Sequence, residues 1–322
     1  MKNNLAKRIG LSLLIPGATL IILLILCAAR GISLFGNSVS WPLFFRAVAT
    51  VTLTTFALSI NLDTGRFDFS LGSVSMMSGV VAGTCAAQWG IGPWPALAIA
   101  VLVGTVMGFL HGCVYVITKI PPIIVSLGIT LLYEGAAYVF TSGKGVTVVT
   151  RSDLLAFASI PNYVLLTVLG VAVIILLFDY TKFGANYRAL LSGQKIAVDT
   201  GIREVPNALG CYAVTGGLMG IVGFISLTNT GNVQMSLSFG SIGIMFTAFL
   251  PMFIGGWVGR QINRRIGMML GAVTMALVSL GYARLNTSSS VQSIFSAMML
   301  VLFLIYLNNE TTILSVFRKK QK

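Results

Sequence analysis

Apolar runs as long as a bilayer is thick recur through this chain, near residues 10–29, 43–61, 68–87, 93–118, 122–141, 160–179, 206–228, 240–256, 266–284 and 290–308. A membrane-spanning helix needs ~20 mostly apolar residues, so the pattern predicts an all-α, polytopic membrane protein of about ten spans with short connections. Only 21 basic and 8 acidic residues occur in 322, and 56% of the chain is hydrophobic, which leaves no room for a separate soluble domain. The expectation is one transmembrane domain over residues 1–322, multi-pass and in contact with lipid. The N-terminal Met1–Arg8 has the charged flank of a signal peptide, but the run from Ile9 to Ala29 is of span length and lacks a small-x-small cleavage site. It reads as an uncleaved first helix.

The net charge of +13 suggests a nucleic-acid partner until its distribution is examined. Ten spans put both termini on one side. Arg30, Arg46, Lys144, Arg151 and Arg284 then fall on the opposite side, leaving 16 of the 21 basic residues with the termini. Positively charged loops stay in the cytoplasm, so both termini are expected there, and the charge needs no nucleic acid. The four cysteines, Cys27, Cys85, Cys113 and Cys211, sit inside apolar runs without metal-ligand spacing and read as small packing residues. Glycines repeat every four residues at Gly104, Gly108 and Gly112, at Gly79 and Gly83, and at Gly267 and Gly271. Such faces let helix backbones approach closely.

Against this background the stretch Asn61–Ser73, NLDTGRFDFSLGS, stands out because it sets Asp63, Arg66 and Asp68 between apolar runs. Ionisable groups at such places mark functional sites. Asp68 has a second reading as the cap of a helix starting near Ser70. The motif also has a faint echo: SLGSV at Ser70–Val74 and SFGSI at Ser238–Ile242 open two spans from opposite sides, as inverted repeats do in transporters. Glu134 lies about a dozen residues into its span and must face a cavity, meet a cation such as Arg46, or be protonated. His111, the only histidine, reads as an interhelical hydrogen-bonding residue beside the Gly108/Gly112 face; it has no second metal ligand at suitable spacing. No nucleotide-binding GxxxxGK[ST] occurs.

Three segments in order resemble the permease subunits of ribose/xylose/galactose-type sugar ABC importers. Gly65–Gly79 is similar to that family's GGIDLSVGS signature, sharing Gly65, Asp68, Ser70, Gly72 and Ser73. Gly108–Gly128 is similar to its run from a Gly-x-x-Asn-Gly turn through a proline to Thr-Leu-Gly. The third is the loop at about 180–205, with Gly193, Gln194, Lys195, Ile196, Ala197, Val198, Asp199 and Gly201, and the helix after it. The resemblance runs from about residue 45 to 308 and implies a type II-like importer permease bundle in a bacterial inner membrane. It further implies that the 180–205 loop docks on a separate ATPase, which holds ATP and magnesium while this chain carries no cofactor. A second permease subunit, identical or not, and a periplasmic solute-binding protein complete the implied assembly. Asp63, Gly65, Arg66, Asp68, Ser70, Gly72, His111 and Glu134 become candidates for the translocation pathway. Arg66 replaces the signature's second glycine, His111 the asparagine, Glu134 an arginine, and Lys195 an acidic residue. The alternative from the residues alone is an ion-coupled secondary transporter with a proton on Asp63, Asp68 or Glu134. An intramembrane enzyme would need a base or metal pair that a lone His111 does not supply.

Overall fold

Prolines and glycines punctuate the chain where the spans end. The structure, a computed structural model, describes residues 2–234, 236–259 and 263–309. In chain order the elements are α1 (Lys2–Ala29), α2 (Ser40–Leu62), α3 (Leu71–Trp89), α4 (Pro93–Thr118), α5 (Pro122–Phe140), β1 (Val146–Thr147), α6 (Ser152–Ala156), α7 (Ile160–Tyr180), α8 (Lys182–Ser192), α9 (Gln194–Asp199), α10 (Glu204–Thr230), β2 (Asn232–Val233), α11 (Ile242–Gly259), α12 (Arg264–Arg284) and α13 (Ser289–Asn308). Each of the ten expected spans coincides with a long helix. Pro93 and Pro122 occupy first-turn positions of α4 and α5, where a missing N–H costs nothing.

Among the described residues, eight helices are long and apolar enough to cross a membrane: α1 from Gly10, α2, α4, α5, α7, α10, α11 and α12. Helix α3 falls outside that set because serine and glycine dilute it, yet its residues from Leu71 to Met76 are all buried. Over that stretch α3 is enclosed by protein, where its serines are kept from lipid.

Two compact units divide the chain. In the larger, residues 41–248, α10 is the centre and packs on α3 and α4 through glycines on both sides. A methyl group at Gly104 or Gly108 would strike the carbonyl oxygens of Gly216 or Tyr212, and one at Gly223 would strike that of Ser75. Backbones this close replace the hydrophobic drive that lipid does not supply. In the smaller unit, made of residues up to Ser40 and from Phe249, Gly281 of α12 receives Leu23 of α1 and Arg284 donates to the Ser33 carbonyl. There Gly267 and Gly271 abut the carbonyls of Gly255 and Pro251.

Loops assigned to one side of the membrane do meet. The strands β1 and β2 pair antiparallel, Val146 opposite Val233, although their segments are far apart in sequence. Arg151, from the same end, donates to the carbonyls of Ala86 and Ile91 where α3 finishes. Its hydrogen bond to Asp153 holds that exposed carboxyl below the usual carboxylate range.

Candidate functional site

Helix α2 stops where Arg66 N–H and Gly65 N–H fold back onto the carbonyls of Asn61 and Leu62. Gly65 takes a left-handed φ of 75°, which a side chain would strain. The chain then runs irregularly to Leu71, where α3 begins. Asp68 Oδ1 accepts from the Ser70 N–H at 2.9 Å and the Ser70 hydroxyl at 2.7 Å, and Oδ2 accepts from Asn61 Nδ2 at 3.2 Å. Asp68 thus braces Ser70, the residue before α3, and sits in a buried cluster.

His111 of α4 joins that cluster, its Nδ1 at 2.9 Å from Ser70 Oγ and 3.4 Å from Asp68 Oδ1. Because Ser70 donates its proton to Asp68, its oxygen accepts from His111, placing the imidazole hydrogen on Nδ1. The expected interhelical role of His111 is what the geometry has. Asp68 and His111 converge on the same hydroxyl rather than relaying along one line, so this is no nucleophile–base–acid relay. Asn61 also donates to Thr215 of α10 at 3.3 Å, so four helices meet here. Arg66, 3% exposed, is buried with Nε and Nη2 lacking a hydrogen-bond partner, within electrostatic reach of Cys211 and Tyr212. Asp63 lies half-buried on the turn above it.

This start is deep. His111 precedes the end of α4 by seven residues and Thr215 follows the start of α10 by eleven. At 1.5 Å per residue, α3 begins roughly 10–16 Å inside its neighbours' ends.

Glu134 corrects the sequence expectation. It is fully buried, yet it meets neither a cation nor a cavity: Arg46 lies instead beside Tyr163. Glu134 Oε1 accepts from Ser241 N at 2.9 Å and Ser241 Oγ at 2.6 Å, and Oε2 accepts from Phe239 N at 3.0 Å. These donors lead straight into α11. A carboxylate at a helix N-terminus gains from three charge-assisted bonds and from the helix dipole. It also offsets strain, because Ser238 and Phe239 are both left-handed, φ 56° and 66°. Non-glycine residues pay roughly 1–2 kcal/mol each for that conformation.

The two echoing motifs touch. A methyl group at Gly72 would collide with the Ser241 carbonyl, so only glycine lets the two helix starts meet backbone to backbone. Immediately beside this contact, toward β2, lies a cavity of about 280 Å³ between α3, α10 and the 234–241 segment. A second cavity of about 480 Å³ sits at the opposite end of α10, by Tyr115, Lys119 and Glu204. It is larger but far from the helix starts.

The loop residues singled out in sequence stand apart from this cluster. Gln194–Asp199 forms α9, with Gly193 before it and Gly201, at φ 92°, after it. Ile196 and Val198 are 72% and 43% exposed, beside exposed Lys195 and Asp199, whereas Ala197 is buried. Ala197 thus faces inward and is no surface probe. Gln194 donates to Glu204 at 2.7 Å. One bond joins the loop to the cluster: the hydroxyl of Tyr187, on α8, donates to the Ile60 carbonyl at 3.0 Å, one residue before Asn61. Sequence reasoning missed Tyr187, the glycine face of α10 and the cavity. Only the α10 glycines left a signal, as Gly216, Gly220 and Gly223 at helical spacing.

The sequence matches the family described as "Branched-chain amino acid transport system / permease component" over residues 43–304. It is similar to the fructose import permease protein FrcC of Rhizobium meliloti, 23% identical over 290 residues covering 83% of this chain and 78% of that protein. It is also similar to autoinducer 2 import system permease proteins LsrC. That of Yersinia pestis (strain Pestoides F) is 25% identical over 67% of this chain and 63% of the relative. That of Yersinia enterocolitica is 26% identical over 67% of this chain and 61% of the relative. The chain thus aligns with somewhat under two thirds of the length of these last two proteins.

Proposed function

This chain belongs to the branched-chain amino acid transport system / permease component family, and from that premise we propose that it is the permease subunit of an ABC importer. Its cargo is a sugar or sugar-like solute, as the names of its fructose and autoinducer 2 relatives suggest. It works in a bacterial inner membrane with both termini in the cytoplasm, beside a second permease subunit. A periplasmic solute-binding protein delivers the cargo. ATP and magnesium belong to a separate ATPase; this chain carries no cofactor.

The observation that carries the reading is the exposed α9 together with its tie to the deep helix start. Ile196 and Val198 are exposed apolar side chains on the two flanks of α9, either side of buried Ala197, among exposed Lys195, Asp199 and Arg203. Exposed apolar side chains among charged ones mark a partner surface. Movement of α8 and α9 would reach Ile60 through Tyr187, and from there Asn61, Asp68 and the start of α3. The ion-coupled alternative draws no support from these carboxylates. Asp68 and Glu134 each accept three hydrogen bonds and are engaged in holding the segments before α3 and α11.

The test is co-purification and uptake with a candidate ABC ATPase, comparing wild type with Ile196→Glu. Loss of ATPase binding and of uptake, with normal membrane insertion, is expected. Retention of both would remove the docking role, and uptake that survives ATP depletion would overturn the importer reading. Lys195 and Lys320, replaced by cysteine, are expected to label only from the cytoplasm and Lys144 only from outside.

A further inference from the structure

We propose that the cavity beside the two helix starts is a solute-binding site of the permease itself, taking a small uncharged molecule that presents hydroxyls and rejecting anions. This rests on the importer reading above. The volume, about 280 Å³, is at the small end of ligand pockets, which run from ~300 Å³ upward. Its polar lining is Ser75, Ser226, Thr230, Asn232, Gln234, Ser236 and Ser241, and no charged side chain of the described residues lines it. Hydroxyls and amides both donate and accept, which matches a polyhydroxylated solute and gives an ionic one no counter-charge.

Two features of the surroundings sharpen this into selection against anions. Helix N-termini ordinarily attract negative groups. Here a carboxylate already lies beside each, Asp68 on the Ser70 N–H just before α3 and Glu134 on the Ser241 N–H just before α11. Behind the wall residue Ser241, whose hydroxyl is 2.6 Å from Glu134 Oε1, stands a fully buried carboxylate. An anion drawn toward that wall meets its field in a medium of low dielectric. The position also fits a waiting site: toward β2 the cavity reaches Asn232 and Val233, and at its other side it passes Ser241, whose backbone abuts Gly72, to Ile244 of α11. Glu134 touches none of the cargo in this scheme. It is a positioning residue that fixes Ser241 and Phe239.

The test uses the full-length chain in membrane vesicles, with Cys85→Ser and Cys113→Ser removing the two half-exposed thiols. Ser226→Cys and, separately, Ser236→Cys are reacted with hydroxyethyl methanethiosulfonate, which is neutral, and with the anionic sulfonatoethyl reagent. Rates are normalised to Lys144→Cys, exposed at the same end of the bundle. Neutral labelling favoured by at least about tenfold is expected, because the anionic reagent finds no counter-charge in the lining and approaches the Glu134 carboxylate. Equal normalised rates, or no labelling of either cavity position while the reference reacts, would overturn the site. In the reconstituted transporter with fructose as probe, Ser226→Asp should cut ATP-driven uptake by more than about tenfold, while Lys144→Asp, a charge change at the same end but outside the cavity, stays within about threefold. Undiminished uptake by Ser226→Asp sinks the site and leaves the importer standing. Selective labelling with no uptake of any neutral sugar by wild type keeps the site and sinks the sugar reading.

Discussion

The starts of α3 and α11 do the same structural work by different means. Each is a helix that begins where Gly72 and Ser241 meet, each follows a short polar motif, and each has a carboxylate on the N–H of the serine just before its first turn. At α3 the carboxylate is Asp68, two residues before the serine it binds. At α11 it is Glu134, more than a hundred residues away on α5. The local arrangement fixes its own turn and adds one bond from the end of α2, whereas the remote one supplies all its bonds from α5 to the segment before α11. α11 should therefore depend more on its carboxylate than α3 does.

Removing Glu134 is the strongest way to break that comparison. Glu134→Ala leaves the N–H groups of Phe239 and Ser241 buried without their acceptor, and two left-handed residues without support. A loss of about 3 kcal/mol or more is expected from abandoned charge-assisted bonds, read as a lower melting temperature of the detergent-purified protein and as lost uptake. Near-wild-type melting would mean that the 234–241 segment holds itself. Gly72→Val should come close behind, since its branched side chain would push against the Ser241 carbonyl and part the two starts. A clash in a well-packed interior costs ~1–3 kcal/mol, and uptake should fall further than stability. If Gly72→Val transports normally, the contact is incidental.

The corresponding change at α3 is milder and divides by chemistry. Asp68→Ala loses bonds from the Ser70 N–H, the Ser70 hydroxyl and Asn61, a destabilisation of about 2 kcal/mol. Asp68→Asn keeps an acceptor for Ser70 but turns an amide toward the Asn61 amide, so about half that loss is expected. Thermal melting of the two variants beside Glu134→Ala orders the three directly. Asp68→Ala falling below Glu134→Ala would reverse the comparison.

What the sequence made legible follows the same division between local and remote. Span positions were readable because apolar length is a local property, and all ten have their helices. The bracing role of Asp68 was readable because its partners lie within a few residues, and His111 because it neighbours a packing glycine face. Glu134 was not, since a carboxylate deep in a span announces only that it needs compensation. Backbone N–H groups leave no mark in the sequence, so side-chain cations such as Arg46 were the visible options. The meeting of SLGSV with SFGSI could be suspected from the echo, but the contact of Gly72 with Ser241 depends on how α3, α5 and α10 bring them to one depth.

The smallest expected effect is also the one that asks which helix start the partner-facing loop controls. Tyr187 on α8 reaches Ile60, and so leads to the Asp68 side; among the described residues, no hydrogen bond from α8 or α9 reaches the 234–241 segment or Glu134. Tyr187→Phe removes one hydroxyl while keeping the ring that packs edge-on against Phe178 at 4.8 Å. A single buried hydrogen bond is worth about 1 kcal/mol, so folding and ATPase assembly should survive. What should change is transmission: ATP hydrolysis by the reconstituted complex continues, while solute carried per ATP drops severalfold. Adding Asp68→Asn should then cost little more coupling than Tyr187→Phe alone, because both cut one chain of contacts, whereas adding a mild change at Ser241 should add its own effect. Full additivity of Tyr187→Phe with Asp68→Asn would show that the loop acts through some other route, and the two helix starts would then have no difference in their link to the partner.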